Sequence, residues 1–257
     1  MHVEIMFLVE GSNRSLRMRK SSPWMFIPIV TSIGAAVGLW IVYVIAVQQK
    51  IICRLVLQDG VDQCELRPPF ISVAADYPPA SSFFAQIGNM AASLVAAIGI
   101  LRFSQLKSKM KKPWLNIFGA LASSVAALGI TLVANFQISK NEWVHNTGTV
   151  LVFGFGIVVC WIQVVLTFQA NLKHEGVKVG ILRAMIAIAI SITIILYLFL
   201  VAQRKYFHGA RTQWLWVMLF LLFIGTFAIE FRYSEFNIQC TDEESLSKVS
   251  TIIAEFQ

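Results

Sequence analysis

Charge is what this sequence has least of. Of 257 residues, 14 are Asp or Glu and 21 are Lys or Arg, so 14% of the chain is charged while 57% is hydrophobic. Soluble globular chains average about 25% charged and about 45–50% apolar residues. That deficit excludes a disordered chain, and it leaves an ordinary soluble enzyme short of polar surface. Four cysteines in a chain of this length exclude a disulfide-dense miniprotein. Histidine is equally scarce: His2, His145, His174 and His208 fall on termini and connecting segments, whereas a metal centre needs several ligands converging at one depth. There is no Gly-rich phosphate loop and no paired carboxylates in the apolar runs. Catalysis, a metal and a cofactor are therefore not expected. Proline is missing from the middle of every apolar run, with Pro68, Pro69, Pro78 and Pro79 between runs and Pro23, Pro28 and Pro113 near run starts. A broken-helix transporter site has no support.

Long uncharged runs take the place of charge. No Asp, Glu, Lys or Arg occurs in 21–49, 77–101, 113–139, 143–172, 184–203 or 212–229. A bilayer core of about 30 Å is crossed by about 20 mainly apolar residues in a helix. Helices are the only solution for runs of this length, because lipid offers no partners to backbone polar groups. The fold class expected is all-α: a polytopic membrane protein built as a six-transmembrane-helix bundle. Its spans are expected near 24–47, 83–101, 114–134, 147–169, 184–202 and 213–231. A membrane domain over 24–232, with an outer loop at 48–82, would lie between an N-terminal segment (1–23) and a tail (233–257).

The net charge of +7 is mainly a topology signal. The N-terminal segment, the 102–113 and 170–183 loops and the tail hold 14 Lys and Arg, against 7 in the other three loops. This excess puts both termini in the cytosol. No basic stripe on a soluble module suggests nucleic acid, and Glu4 and Glu10 ahead of the basic cluster argue against a cleavable signal peptide. Cys53 and Cys64 then fall on the oxidising side. A disulfide between them would close a short loop and stabilise it by about 3 kcal/mol; two free thiols are the alternative. Cys160 and Cys240 are expected reduced.

Polar residues inside the spans are the candidate functional positions. Gln86, Asn89 and Ser93 share one face of the second span; Thr131 and Asn135 lie on a stripe of the third; Gln163 lies in the fourth. They either bond between helices or line a polar path between spans two, three and four. Gly34 and Gly38 form a GxxxG pattern in span one, suited to close packing within the chain or to a dimer contact. Glu230 is the carboxylate nearest a helix core. With Arg232 two residues on, it is expected at the cytosolic interface, paired with a Lys or Arg of the 102–113 loop or serving an ion- or gate-related role.

Several short strings occur together in a fixed order: Trp40-Ile41-Val42-Tyr43, Pro69-Phe70-Ile71-Ser72, Pro78-Pro79, Asn89-Met90, Asn135-Phe136-Gln137, His145-Asn146-Thr147-Gly148 and Gly225-Thr226-Phe227. The ordered set, spanning roughly 24–232, resembles the damage-regulated autophagy modulator (DRAM) family, which includes the transmembrane-protein-150 branch. Leu101-Arg102-Phe103, Trp114-Leu115-Asn116-Ile117, Cys160-Trp161-Ile162-Gln163 and Phe227-Ala228-Ile229-Glu230-Phe231-Arg232 resemble the tentonin-type group of that branch. The family often has a cysteine after a serine just past the Pro-Pro pair; here Ser81 is followed by Ser82, so that family disulfide does not carry over. The resemblance implies a component of a mechanically activated, slowly inactivating, non-selective cation channel of the plasma membrane, present also in endolysosomal membranes. The alternative it leaves is a non-conducting adaptor or modulator of channels, lipid-kinase assemblies or autophagy. The partners implied are the lipid bilayer and either further copies of the chain or other channel subunits, with no nucleic acid. The helix cores contain no acidic ring of the kind cation filters use.

Overall fold

The computed structural model of the chain describes residues 22–56, 66–110, 113–172 and 176–236. Most of the N-terminal segment and of the tail, together with Cys64 and Cys240, lies outside the described residues. Six helices are long and apolar enough to cross a membrane. They are α1 (Phe26–Gln48), α2 (Ala80–Lys107), α3 (Pro113–Asn135), α4 (Glu142–Ala170), α5 (Gly176–Ala202) and α6 (Tyr206–Gly225). A turn of 3-10 helix at Pro23–Met25 leads into α1, and after the interruption at Thr226 a last turn, Phe227–Phe231, continues α6. The protein is an all-α, six-span membrane protein.

Helix ends follow local chemistry. The Asn141 side chain caps α4 by accepting from the Val144 amide at 3.2 Å. Asn171 ends α4 in the left-handed region (φ 38°), and its side chain accepts from the Gly176 amide that opens α5. The helices exceed the expected spans where charge had been taken as a boundary. Helix α2 runs through Arg102 to Lys107, α5 begins before Lys178 and Arg183, and α6 begins before Arg211. Charged residues are therefore not loop residues by default; two of them, Arg102 and Arg183, are fully buried.

Each helix packs chiefly on its neighbour in chain order, and α6 returns to α1, so the six form a closed ring. Small residues set the spacing. At the α3–α4 contact, a side chain on Gly129 would meet the Val152 amide and the Gly148 carbonyl, and one on Gly148 would meet Leu132 and the Gly129 carbonyl. Two backbones touching is the packing that substitutes for a hydrophobic drive inside lipid. Large apolar side chains such as Val30, Ile33, Val37, Leu121, Val150, Ile192 and Leu215 point outward, as a lipid-facing surface requires.

Candidate functional site

The ring surrounds a partly open cavity of about 230 Å³. Its walls are apolar, with Leu39, Ile87, Val95, Ile130, Val152 and Phe220 among them. Polar side chains gather at its two ends: Arg102 and Gln163 at one, Ser72 and Gln213 at the other. The first end is the one where α1 begins and where α2 and α4 end.

That end is closed by ions. The Glu230 carboxylate forms ion pairs with Arg102 Nη2 at 2.9 Å and Arg183 Nη2 at 2.6 Å, and all three side chains are at most 4% exposed. Neutral groups bind further N–H donors of the two arginines. Arg102 Nε donates to Gln163 Oε1 (3.1 Å) and Nη1 to Gln105 Oε1 (2.6 Å). Thr167 Oγ1 accepts from Arg102 Nη2 (3.2 Å) and from Arg183 Nη1, while donating to the Gln163 carbonyl. Arg183 Nε donates to Thr226 Oγ1 at 2.9 Å, and its guanidinium lies 4.3 Å from the Phe227 ring centroid, a cation–π contact. Gln105 Nε2 reaches the Glu230 carbonyl and the Ser234 hydroxyl. The cluster thus joins α2, α4, α5 and the end of α6, four elements distant in sequence. A buried ion pair is tolerated only when hydrogen bonds serve its remaining donors and acceptors, which is the role of Gln163, Thr167 and Thr226.

At the opposite end, the polar groups that border the cavity make neutral hydrogen bonds. The short helix Ile71–Ala74 lies across it, with the Ile71 amide donating to Gln213 Oε1 (2.9 Å) and Trp214 Nε1 donating to the Pro69 carbonyl (2.9 Å). His145, buried at the start of α4, has Nδ1 2.7 Å from the Phe136 carbonyl and Nε2 2.8 Å from Ser72 Oγ. A carbonyl only accepts, so Nδ1 carries a proton. The buried Asp76 carboxylate accepts from the Ser139 amide and faces Arg67 at 3.3 Å. Arg211 Nε donates to the Leu55 carbonyl (2.7 Å), holding the loop after α1 against α6.

Residues 23–234 match the model of the Frag1/DRAM/Sfk1/Cwh43P N-terminal domain. The chain belongs to this family. It is 32% identical to modulator of macroautophagy TMEM150B-B of Xenopus laevis over 208 residues, covering 81% of this chain and 86% of that one. It is 30% identical to transmembrane protein 150A of Mus musculus over 226 residues, covering 81% and 83%. No solved structure matches.

In this family member, the residues singled out in the sequence separate into three groups. Gln163 and Glu230 meet in the ion cluster; Glu230 is buried between helices, and its partner Arg102 comes from the expected 102–113 range. Asn89 and Asn135 bond to each other across α2 and α3, at 3.1 and 2.8 Å. With Gln86 and Ser93 they lie on the outside of the ring: Gln86, Ser93 and Asn135 are exposed and Asn89 half-buried. Ser93 and Thr131 donate to carbonyls of their own helices. Gln86, Asn89, Ser93, Thr131 and Asn135 do not line the axial cavity. The glycine pair divides as well. A side chain on Gly38 would strike Ile87, whereas Gly34 is exposed with nothing within 4 Å. Cys53 is disulfide-bonded and Cys160 is a buried free thiol.

Sequence reasoning missed Arg183, Thr226 and His145 as site residues. Arg183 lies outside the uncharged runs, and His145 has no neighbouring metal ligand in the sequence. A usable signal existed, since Arg102, Gln163, His145, Thr226 and Glu230 all fall within the short strings that carry the family resemblance.

Proposed function

We propose that this protein is a non-conducting multi-pass membrane modulator, acting in membrane control of the kind its relatives named as modulators of macroautophagy serve. The observation that carries the reading is the axial cavity: its walls are apolar between a charged seal and a neutral one. A cation path needs carbonyls, acidic rings or polar walls to replace hydration. Both termini face the cytosol on this reading. Removing the buried Arg102 and Arg183 lowers the basic count on that side from 14 to 12, still above 7. The protein resides in the plasma membrane with a share in endolysosomal membranes, and Cys53 pairs with Cys64 in the outer loop.

A second reading, a component of a mechanically activated cation channel, draws support from the ring itself, which surrounds an axial space. Tension would have to favour a wider ring, because only a state of larger in-plane area is selected by stretch. Purified protein in stretched liposomes, with no other channel present, separates the two. The modulator reading expects no tension-evoked current, together with altered turnover of an autophagic reporter in cells lacking the protein. A reproducible cation current from the purified chain would replace it with the channel reading. Non-reducing peptide mapping is expected to link Cys53 to Cys64, and free alkylation of Cys53 would reject the pair.

A further inference from the structure

We propose that the axial cavity is a binding site for an anionic single-chain amphiphile, its alkyl chain along the apolar walls and its head at Arg102. Shape and charge support this separately.

The cavity measures about 230 Å³. An apolar cavity of about 150 Å³ holds a benzene molecule, so this one holds a stretch of one alkyl chain, not a two-chain lipid tail. Walls such as Leu39, Ile87, Val95 and Ile130 offer such a chain contacts equivalent to those it leaves in the bilayer. Ser123, also on the wall, spends its hydroxyl on the Gly119 carbonyl.

Charge orients the ligand. The ion cluster holds two guanidinium groups against one carboxylate, all at most 4% exposed. Among the described residues, the other buried carboxylate is Asp76, at the opposite end of the bundle, and Glu235 is exposed. Among the described residues, one positive charge of the cluster is therefore buried without a counter-charge, which is costly in a low-dielectric interior. Arg102 is the cluster cation that borders the cavity. Four of its five N–H groups meet Gln163, Gln105, Thr167 and Glu230; the head takes the fifth, the second hydrogen of Nη1, after a shift of the Arg102 side chain, which is fully buried in this conformation. At the other end, Gln213 is engaged by the Ile71 amide and Ser72 by His145, and neither carries charge. The ligand class is one alkyl chain with one anionic head, a fatty acid or a lysophospholipid. The site does not depend on whether the protein conducts.

The test uses purified full-length protein in nanodiscs and a photoactivatable palmitate probe, with labelled peptides mapped by mass spectrometry. Labels are expected on segments 87–99 and 123–134, which line the cavity. Palmitate or lysophosphatidate should displace the probe, and palmitate methyl ester should compete at least about tenfold more weakly, the equivalent of about 1.4 kcal/mol for the lost charge. Displacement by palmitate alone assigns a carboxylate head and by lysophosphatidate alone a phosphate head; either supports the site. Ala126→Phe fills the cavity and should abolish labelling while thermal unfolding stays near that of the native protein. Arg102→Gln should weaken palmitate and leave the ester unchanged. If Arg102→Gln does not fold, the acid–ester difference in the native protein and the Ala126→Phe result decide. Equal competition by acid and ester, labels confined to outward helix faces, or full labelling of Ala126→Phe would overturn the proposal.

Discussion

The two ends of the helix ring close the same cavity by different physics. At one end a carboxylate sits between two guanidiniums, drawn from helices far apart in sequence. At the other, a loop helix is held by Gln213 on the Ile71 amide, Trp214 on the Pro69 carbonyl and His145 on the Ser72 hydroxyl. Neutral bonds fail one at a time, because each lost partner exposes one donor or acceptor. An ion cluster fails as a unit, since removing one charge strands the others. The charged end should therefore be the more brittle and the neutral end the more graded.

The largest effect is expected at the charged end. Glu230→Leu leaves Arg102 and Arg183 facing each other without their carboxylate, and loss of one partner of a buried pair costs about 3–5 kcal/mol. Thermal unfolding in one detergent, with surface expression in cells, checks this. Retention of native stability would show that the two guanidiniums reach water.

A smaller loss is expected at the neutral end. His145→Phe keeps the bulk but strands the Phe136 carbonyl and the Ser72 hydroxyl, at about 1–3 kcal/mol for an unsatisfied buried group. The loop should loosen before the helices separate, so hydrogen exchange near residues 71–76 should rise ahead of exchange in α2 and α4. Uniform exchange throughout would mean that this end is no more graded than the other.

The outward pair gives the smallest effect. Asn89→Leu breaks the bond to Asn135, and interhelical bonds in membranes average about 0.6 kcal/mol, about 1.7 at most. A loss as large as that of Glu230→Leu would mean that the Asn89–Asn135 pair is buried against a further partner.

Why the charged end was hard to read in the sequence follows from how the spans were found. Runs without charge mark helices well, and all six were legible that way. The same rule puts every arginine outside a helix, so the second span ended at Arg102 and the fifth began after Arg183, where the helices continue. Glu230 was legible as a buried-charge candidate because a carboxylate beside an apolar run is rare. Its pairing with a base from 102–113 followed from charge alone; Arg183 did not, because nothing in a single chain says which loop folds over which helix. The stripe of Gln86, Asn89 and Ser93 was legible as one helix face, but periodicity fixes only the azimuth on a helix, not whether that face turns toward the ring axis or away. The ring turns it away.

The central claim is that the charged end is held by pairing rather than by charge as such. Thermal unfolding of three variants in the same detergent tests it most directly: Glu230→Leu, the double variant Arg102→Met/Arg183→Met, and the triple variant combining them. Replacing a whole buried ion set with apolar residues of similar volume is often neutral or stabilising, whereas removing one member is not. The account predicts that the first two variants are strongly destabilised and that the triple variant recovers most of the loss. A triple variant as unstable as the sum of its parts would contradict it.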